Sequence, residues 1–201
     1  MQPVTEAESQ GDRPILNIVG EKIALGPVQK SITSLFMRWE NDFTVTLMSG
    51  DQVRSYTQEA LEEQAGFRKS NDEHRIEFAI YEQSTWRTIG TTHLRHIDQT
   101  KRHAEFGILI GERDCWGKGY GTEATILMLD YAFTVLGLHN VLLRTYAYNE
   151  RAVRAYTRAG FHIAGRWREA ARLGDQFYDI VFMDCLATEF HSPLKRVIEL
   201  P

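Results

Sequence analysis

The sequence predicts a mixed α/β (α+β) domain, a mostly antiparallel sheet flanked by helices. The periodicities run in the order strand, two helices, three strands, helix, strand, helix, two strands. Three consecutive strands before the central helix argue for an antiparallel meander and against a doubly wound parallel sheet. At residues 106–121 an apolar run leads through Trp116-Gly-Lys-Gly-Tyr-Gly121 into an amphipathic segment. That is a strand, a glycine-rich turn and a helix. Backbone N–H groups converge on an anion at such a turn, and the helix dipole favours negative charge there.

The elements follow in order. Residues 1–14 are polar and aperiodic, read as a mobile tail. Residues 15–25 alternate as one strand, stopped at Gly26-Pro27. Residues 28–41 read as a helix with Val28, Ile32, Leu35, Phe36 and Trp39 on one face. Residues 44–50 are ambiguous, and 51–65 read as a second helix between Asp51 and Gly66. The strand at 75–81 sets Ile76, Phe78 and Ile80 on one side. A longer strand over 85–97 is broken at Gly90, and a third spans 103–110. The helix over 122–136 confines Glu123, Asp130, Thr134 and Gly137 to a narrow stripe, so it is largely buried. A strand at 140–147 and a short helix at 150–159 follow, then strands at 161–168 and 176–185 around a loop holding Gly174-Asp175. The domain is expected over 15–187, with 188–201 a loose C-terminal tail.

The 201 residues suit one domain. Net charge is −4 and the basic residues are dispersed, which argues against a nucleic-acid partner. Cys115 and Cys185 lie far apart in sequence and are expected to be unbridged. With no apolar stretch of spanning length and no leader pattern, no membrane partner is expected and the cytoplasm is the default location. The histidines lack ligand spacing, so no metal is expected.

A Walker loop requires Lys-Ser or Lys-Thr after its last glycine, but Gly121 precedes Thr122-Glu123. A dinucleotide fingerprint requires different spacing early in a βαβ unit, and a kinase loop lacks its companion motifs. The turn resembles the pyrophosphate turn of acetyl-CoA-dependent N-acetyltransferases, the GNAT superfamily. That pattern is Gln/Arg-x-x-Gly-x-Gly/Ala, with Gly119 and Gly121 at its last two positions and Trp116 replacing the first. Downstream, Asn149-Glu-Arg-Ala-Val-Arg-Ala-Tyr156 followed by Gly160-Phe161 resembles the second signature of the family. Ala104-Glu-Phe106, Asp130-Tyr-Ala-Phe-Thr-Val-Leu-Gly-Leu-His139 and Gly174-Asp-Gln-Phe-Tyr-Asp179 are most similar to the ribosomal-protein N-terminal (alanine) and spermidine acetyltransferase branch.

The resemblance implies a GNAT fold whose central strands splay apart to admit the pantetheine arm, with acetyl-CoA as cosubstrate. Expected cofactor contacts are Leu109, Ile110, Trp116, Gly117, Lys118, Gly119, Tyr120, Gly121, Thr122 and Asn149, the last also an N-cap. Tyr156 shares a face with Ala152 and Ala159, opposite Arg151, Arg154 and Arg158, and is the candidate general acid. Glu105, with apolar neighbours, is the candidate base through water, its pKa expected to be raised. His93, His96 and His103 are its rivals.

The acceptor wall is expected from residues 32–65 and 166–176. No paired acids mark the turn between the early helices, so a protein N-terminus or small-molecule amine is preferred to spermidine or spermine. A non-catalytic acyl-CoA sensor is the reading from another class. A homodimer is compatible with the sequence.

Overall fold

The fold is that of a computed structural model, which describes residues 14–49, 54–57, 59–60 and 73–194. Of the helix expected over 51–65, residues 54–57 are not helical, 59–60 are, and the rest lie outside the described residues.

Eight strands form one sheet in the order β1-β2-β3-β4-β5-β6-β8-β7. They are β1 (Ile18–Val19), β2 (Ile23–Pro27), β3 (Arg75–Glu82), β4 (Thr88–Asp98), β5 (His103–Ile110), β6 (Asn140–Tyr146), β7 (His162–Leu173) and β8 (Gln176–Leu186). All neighbours are antiparallel except β5 and β6. The helices are α1 (Thr33–Glu40), α2 (Phe43–Ser49), α3 (Tyr120–Asp130) and α4 (Glu150–Ala159).

The expected first strand is instead a hairpin. Its reversal is held from across the molecule: the Glu123 carboxylate accepts from the N–H groups of Glu21 (2.6 Å), Lys22 (2.8 Å) and Ile23 (3.3 Å). Glu123 is therefore buried, as is Asp130, and the polar stripe of the central helix faces protein rather than water. β4 runs on through Gly90, paired with Ile80 and Ile110, and the expected break is instead a slip of register with β3 between Gly90 and Thr88. The ambiguous segment after Asn41 is helical. The strands expected at 161–168 and 176–185 are longer, meeting at Gly174-Asp175.

Strand alternation sorts side chains onto two faces. Phe78, Ile80, Leu94 and Phe106 join Leu127, Met128 and Phe161 in the main core under α3 and α4. The opposite face carries Ala79 and Tyr81, covered by Ile32, Phe36, Trp39 and Val45 of the α1–α2 region. Trp39 is fixed there by an Nε1–H bond of 2.9 Å to Glu112. Helix α3 ends in a π turn, Tyr131–Val135, closed by Leu136 N–H on the Tyr131 carbonyl at 3.2 Å. Beyond β8, Phe190 packs on Phe133 with ring centroids 5.4 Å apart, so Phe190 and Leu194 tie the described residues after 187 to the core.

Candidate active site

Strands β5 and β6 pair at only three positions, His103↔Asn140, Ala104↔Val141 and Glu105↔Leu142. Beyond Glu105 they part, while β5 stays paired to β4 as far as Ile110 and β6 to β8 as far as Tyr146. The inner backbone edges past the fork are thus open. A cavity of about 380 Å³ fills the opening, lined by β3, β4, β5, β6, α1 and Tyr156 of α4.

At the far end of β5 lies the glycine turn. Gly117 and Gly119 have φ of +77° and +91°, the left-handed region that side chains disfavour. A Cβ at Gly117 would meet nothing within 4 Å, so geometry and not crowding requires glycine. Gly119 is the N-cap of α3, and the first intrahelical bond is Glu123 N–H on the Gly119 carbonyl at 3.0 Å. The N–H groups of Gly119 to Thr122 therefore have no partner within the helix. Such donors at a dipole's positive end fit a pyrophosphate.

The other expected cofactor residues divide by role. Trp116 replaces the usual polar residue and ties the turn to β5, its Nε1 donating to the Ile110 carbonyl at 2.7 Å. The Arg151 guanidinium lies over its ring, 4.0 Å from the centroid, so one arginine of the expected wet face is engaged. Tyr120 donates to Glu82 at 2.7 Å, so its hydroxyl braces the turn. Lys118 is exposed beside the turn. Leu109 packs toward the α1–α2 cluster and Ile110 toward the main core. Asn149 is the N-cap of α4, its Oδ1 accepting from Ala152 N–H at 3.1 Å. Its Nδ2 donates to the Met48 carbonyl at 2.8 Å, so its amide joins α4 to α2.

Tyr156 lines the cavity, its ring edge-on to Phe106 and Phe161 at 6.2 and 6.1 Å. Burial pushes its phenol up to about 12, so it is protonated throughout the neutral range.

Glu105 also lines the cavity, but the expected raised pKa is a misreading. Burial raises it, and that is outweighed by Arg95 at 2.6 Å, Arg144 at 3.3 Å and His96 at 3.2 Å, so the net shift is downward. A carboxylate held as an anion is a poor proton acceptor near neutrality. Of its rivals, His103 and His96 are exposed at the surface. His93 enters the cavity. It pairs in register with Glu77 on one side and Gly107 on the other. Its imidazole lies over Gly107, where a Cβ would come within 2.5 Å of Cε1 and Nε2.

Residues 166–176, expected in the acceptor wall, are strand and turn and do not line the cavity; Ile180 of β8 does. Reasoning from sequence passed over Arg75, Glu77, Arg95 and Arg144. The alternation Thr91, His93, Arg95 is visible along β4, but its neighbours on β3 and β5 depend on register.

Cys115 and Cys185 are both free and buried. No group of three or more potential metal ligands gathers among the described residues. No helix among them is long and apolar enough to cross a membrane.

The fork, the turn and the helix after it give an open strand edge beside an anion-binding helix start, and comparison places the fold. The family profile described as acetyltransferase (GNAT) domain matches residues 23–162. The chain belongs to the GNAT acetyltransferase family and is an N-acetyltransferase of that type. An uncharacterized N-acetyltransferase, p20, of Bacillus licheniformis is 27% identical over 148 residues, 74% of this chain and 77% of that protein. Spermidine N(1)-acetyltransferase of Escherichia coli K12 is 34% identical over 94 residues, 47% of this chain and only half of the relative's length. The crystal structure of spermidine N-acetyltransferase from Vibrio cholerae with CoA and spermine has a TM-score of 0.76. It is 24% identical, covering 84% of this chain and 97% of that one, a likeness of fold.

Proposed function

We propose that this chain transfers the acetyl group of acetyl-CoA to a primary amine by direct attack, with Tyr156 as general acid and His93, in place of Glu105, as proton acceptor. The observation that carries this is the meeting of Tyr156 of α4 and His93 of β4 in one cavity at the β5–β6 fork, where β5 leads into the glycine turn.

The thioester supplies an activated acetyl carbonyl. The open edge of β5 orients it, and the N–H groups of Gly119 to Thr122 hold the diphosphate. His93 takes the proton that the amine loses as the C–N bond forms. Tyr156 supplies the proton that neutralises the sulfur as the C–S bond breaks, and is reprotonated through solvent. The net proton movement is from nitrogen to sulfur. A phenol near 12 assists by hydrogen-bonding the emerging thiolate in the transition state.

CoA release as free thiol is measured across peptides beginning Ala, Ser or Thr, small amines, an aminoglycoside, spermidine and spermine. Acceptor-dependent release that falls in Tyr156→Phe supports the reading. Acetyl-CoA binding with no release for any amine favours a sensor. A polyamine acceptor is the second reading, favoured by the spermidine acetyltransferases among the relatives.

A further inference from the structure

On the cavity face of the sheet, register places side chains in rows. One row is Arg75, Arg95 and Glu105, on β3, β4 and β5. The next is Glu77, His93 and Gly107. Arg144 of β6, two residues beyond the Leu142 that register sets opposite Glu105, reaches the first row from across the fork, 3.3 Å from Glu105.

The charges of that first row are not matched. Glu77 is engaged by Arg75 at 3.3 Å. Glu105 is shared by Arg95 and Arg144, so two guanidiniums meet one carboxylate among the described residues. Arg75 and Arg95 stand directly opposite each other, an unfavourable pairing of like charges. The Nε atoms of both are buried without a hydrogen-bond partner among the described residues. Buried donors without acceptors are costly, and the guanidiniums of Arg95 and Arg144 outnumber the one carboxylate they share. The second row differs, offering Glu77 and the imidazole of His93, and Glu40 of α1 also reaches the cavity. Adjacent rows lie about 7 Å apart along the strands.

We infer that the acceptor is a small amine that carries its own carboxylate, an amino-acid-like molecule, whose carboxylate docks on Arg95 and Arg144 while its nitrogen lies toward His93. This rests on the acetyl-transfer reading and narrows it. Glu105 is then a positioning residue that aims both guanidiniums, which accounts for its depressed pKa.

The test uses matched trios: several L-amino acids, their carboxamides and the corresponding decarboxylated amines, with spermidine alongside. Initial rates of CoA release are compared at saturating acetyl-CoA. The expected result is a kcat/KM for at least one acid that exceeds its amide and amine by tenfold or more. In Arg144→Gln, exposed enough to leave the fold intact, the acid's KM rises about tenfold while kcat changes little, and Arg144→Lys recovers part of the loss. Equal or better use of the amide, the amine or spermidine overturns the proposal, as does failure to acetylate any acid by protein that binds acetyl-CoA. The donor reading fails separately, if acetyl-CoA itself does not bind. Calorimetric titration of the N-acetylated acids then still decides the carboxylate site, since it needs no donor: binding lost in Arg144→Gln supports it, and no binding overturns it.

Discussion

The two ends of the β5–β6 fork are built from different materials. The donor end is backbone: two glycines with positive φ, a run of uncapped N–H groups and the unpaired edge of a strand. The proposed acceptor end is side chains: arginines, glutamates and a histidine arrayed across four strands. Backbone recognition depends on local geometry, so it is written in consecutive residues. Side-chain recognition depends on which residues register brings together.

The sharpest way to break this contrast is at the donor end. Gly119→Val puts a β-branched residue at φ +91°, which costs more than the roughly 1–2 kcal/mol of an ordinary side chain in the left-handed region. It also misdirects the helix N-terminus. Acetyl-CoA affinity should fall at least about tenfold by calorimetry, because 1.4 kcal/mol is a factor of ten. Gly165→Ala, with open space and no positive φ, should bind normally. Equal affinity in a folded Gly119→Val would mean the turn does not hold the donor.

At the acceptor end, Tyr156→Phe should lower kcat by about a hundredfold or more, the lower range for a general acid. The edge contacts with Phe106 and Phe161 survive, so stability and acetyl-CoA affinity should hold. Unchanged turnover would remove Tyr156 from the chemistry.

These two variants also mark what was legible in the sequence. Gly117, Gly119, Tyr156 and Asn149 sit at fixed spacings on single elements, so motif and helical periodicity located them. The antiparallel meander was legible for the same reason: the strands alternate, and Ile76, Phe78 and Ile80 do lie on one face. Glu105 was misread because its shift depends on Arg95 and Arg144, ten residues behind it and thirty-nine ahead of it. Glu123 was read as part of a polar stripe because its partners, the N–H groups of residues 21–23, lie about a hundred positions away.

Glu123 supports a third test. Glu123→Gln weakens an acceptor of three backbone N–H groups, and hydrogen bonds to a charged group contribute about 1.5–3 kcal/mol. The denaturant midpoint should fall accordingly, while Tyr156 and the cavity rows keep their places.

The smallest effect is in pH dependence. Glu105 has a folded-state pKa below its ordinary 4.5. Its contribution to stability is full above 4.5 and is lost as pH falls through the folded value. Glu105→Gln should therefore flatten the acid limb of stability, measured by thermal melting between pH 5 and about 3. Glu105→Gln should change kcat at neutral pH little; a loss of about a hundredfold would restore Glu105 as the base.

Two hydrogen bonds join α2 to the start of α4. Asn149 Nδ2–H donates to the Met48 carbonyl at 2.8 Å, and the Tyr148 hydroxyl to the Leu47 carbonyl at 2.7 Å. Parting α2 from the start of α4 forfeits both, about 1 kcal/mol each. The proposed acceptor wall and the helix that carries the proposed acid are thus clamped together like the two jaws of one tool. Selection acting on acceptor choice through α2 is felt in the aim of Tyr156, so new specificity on this scaffold will arrive as a change in turnover as well as in affinity.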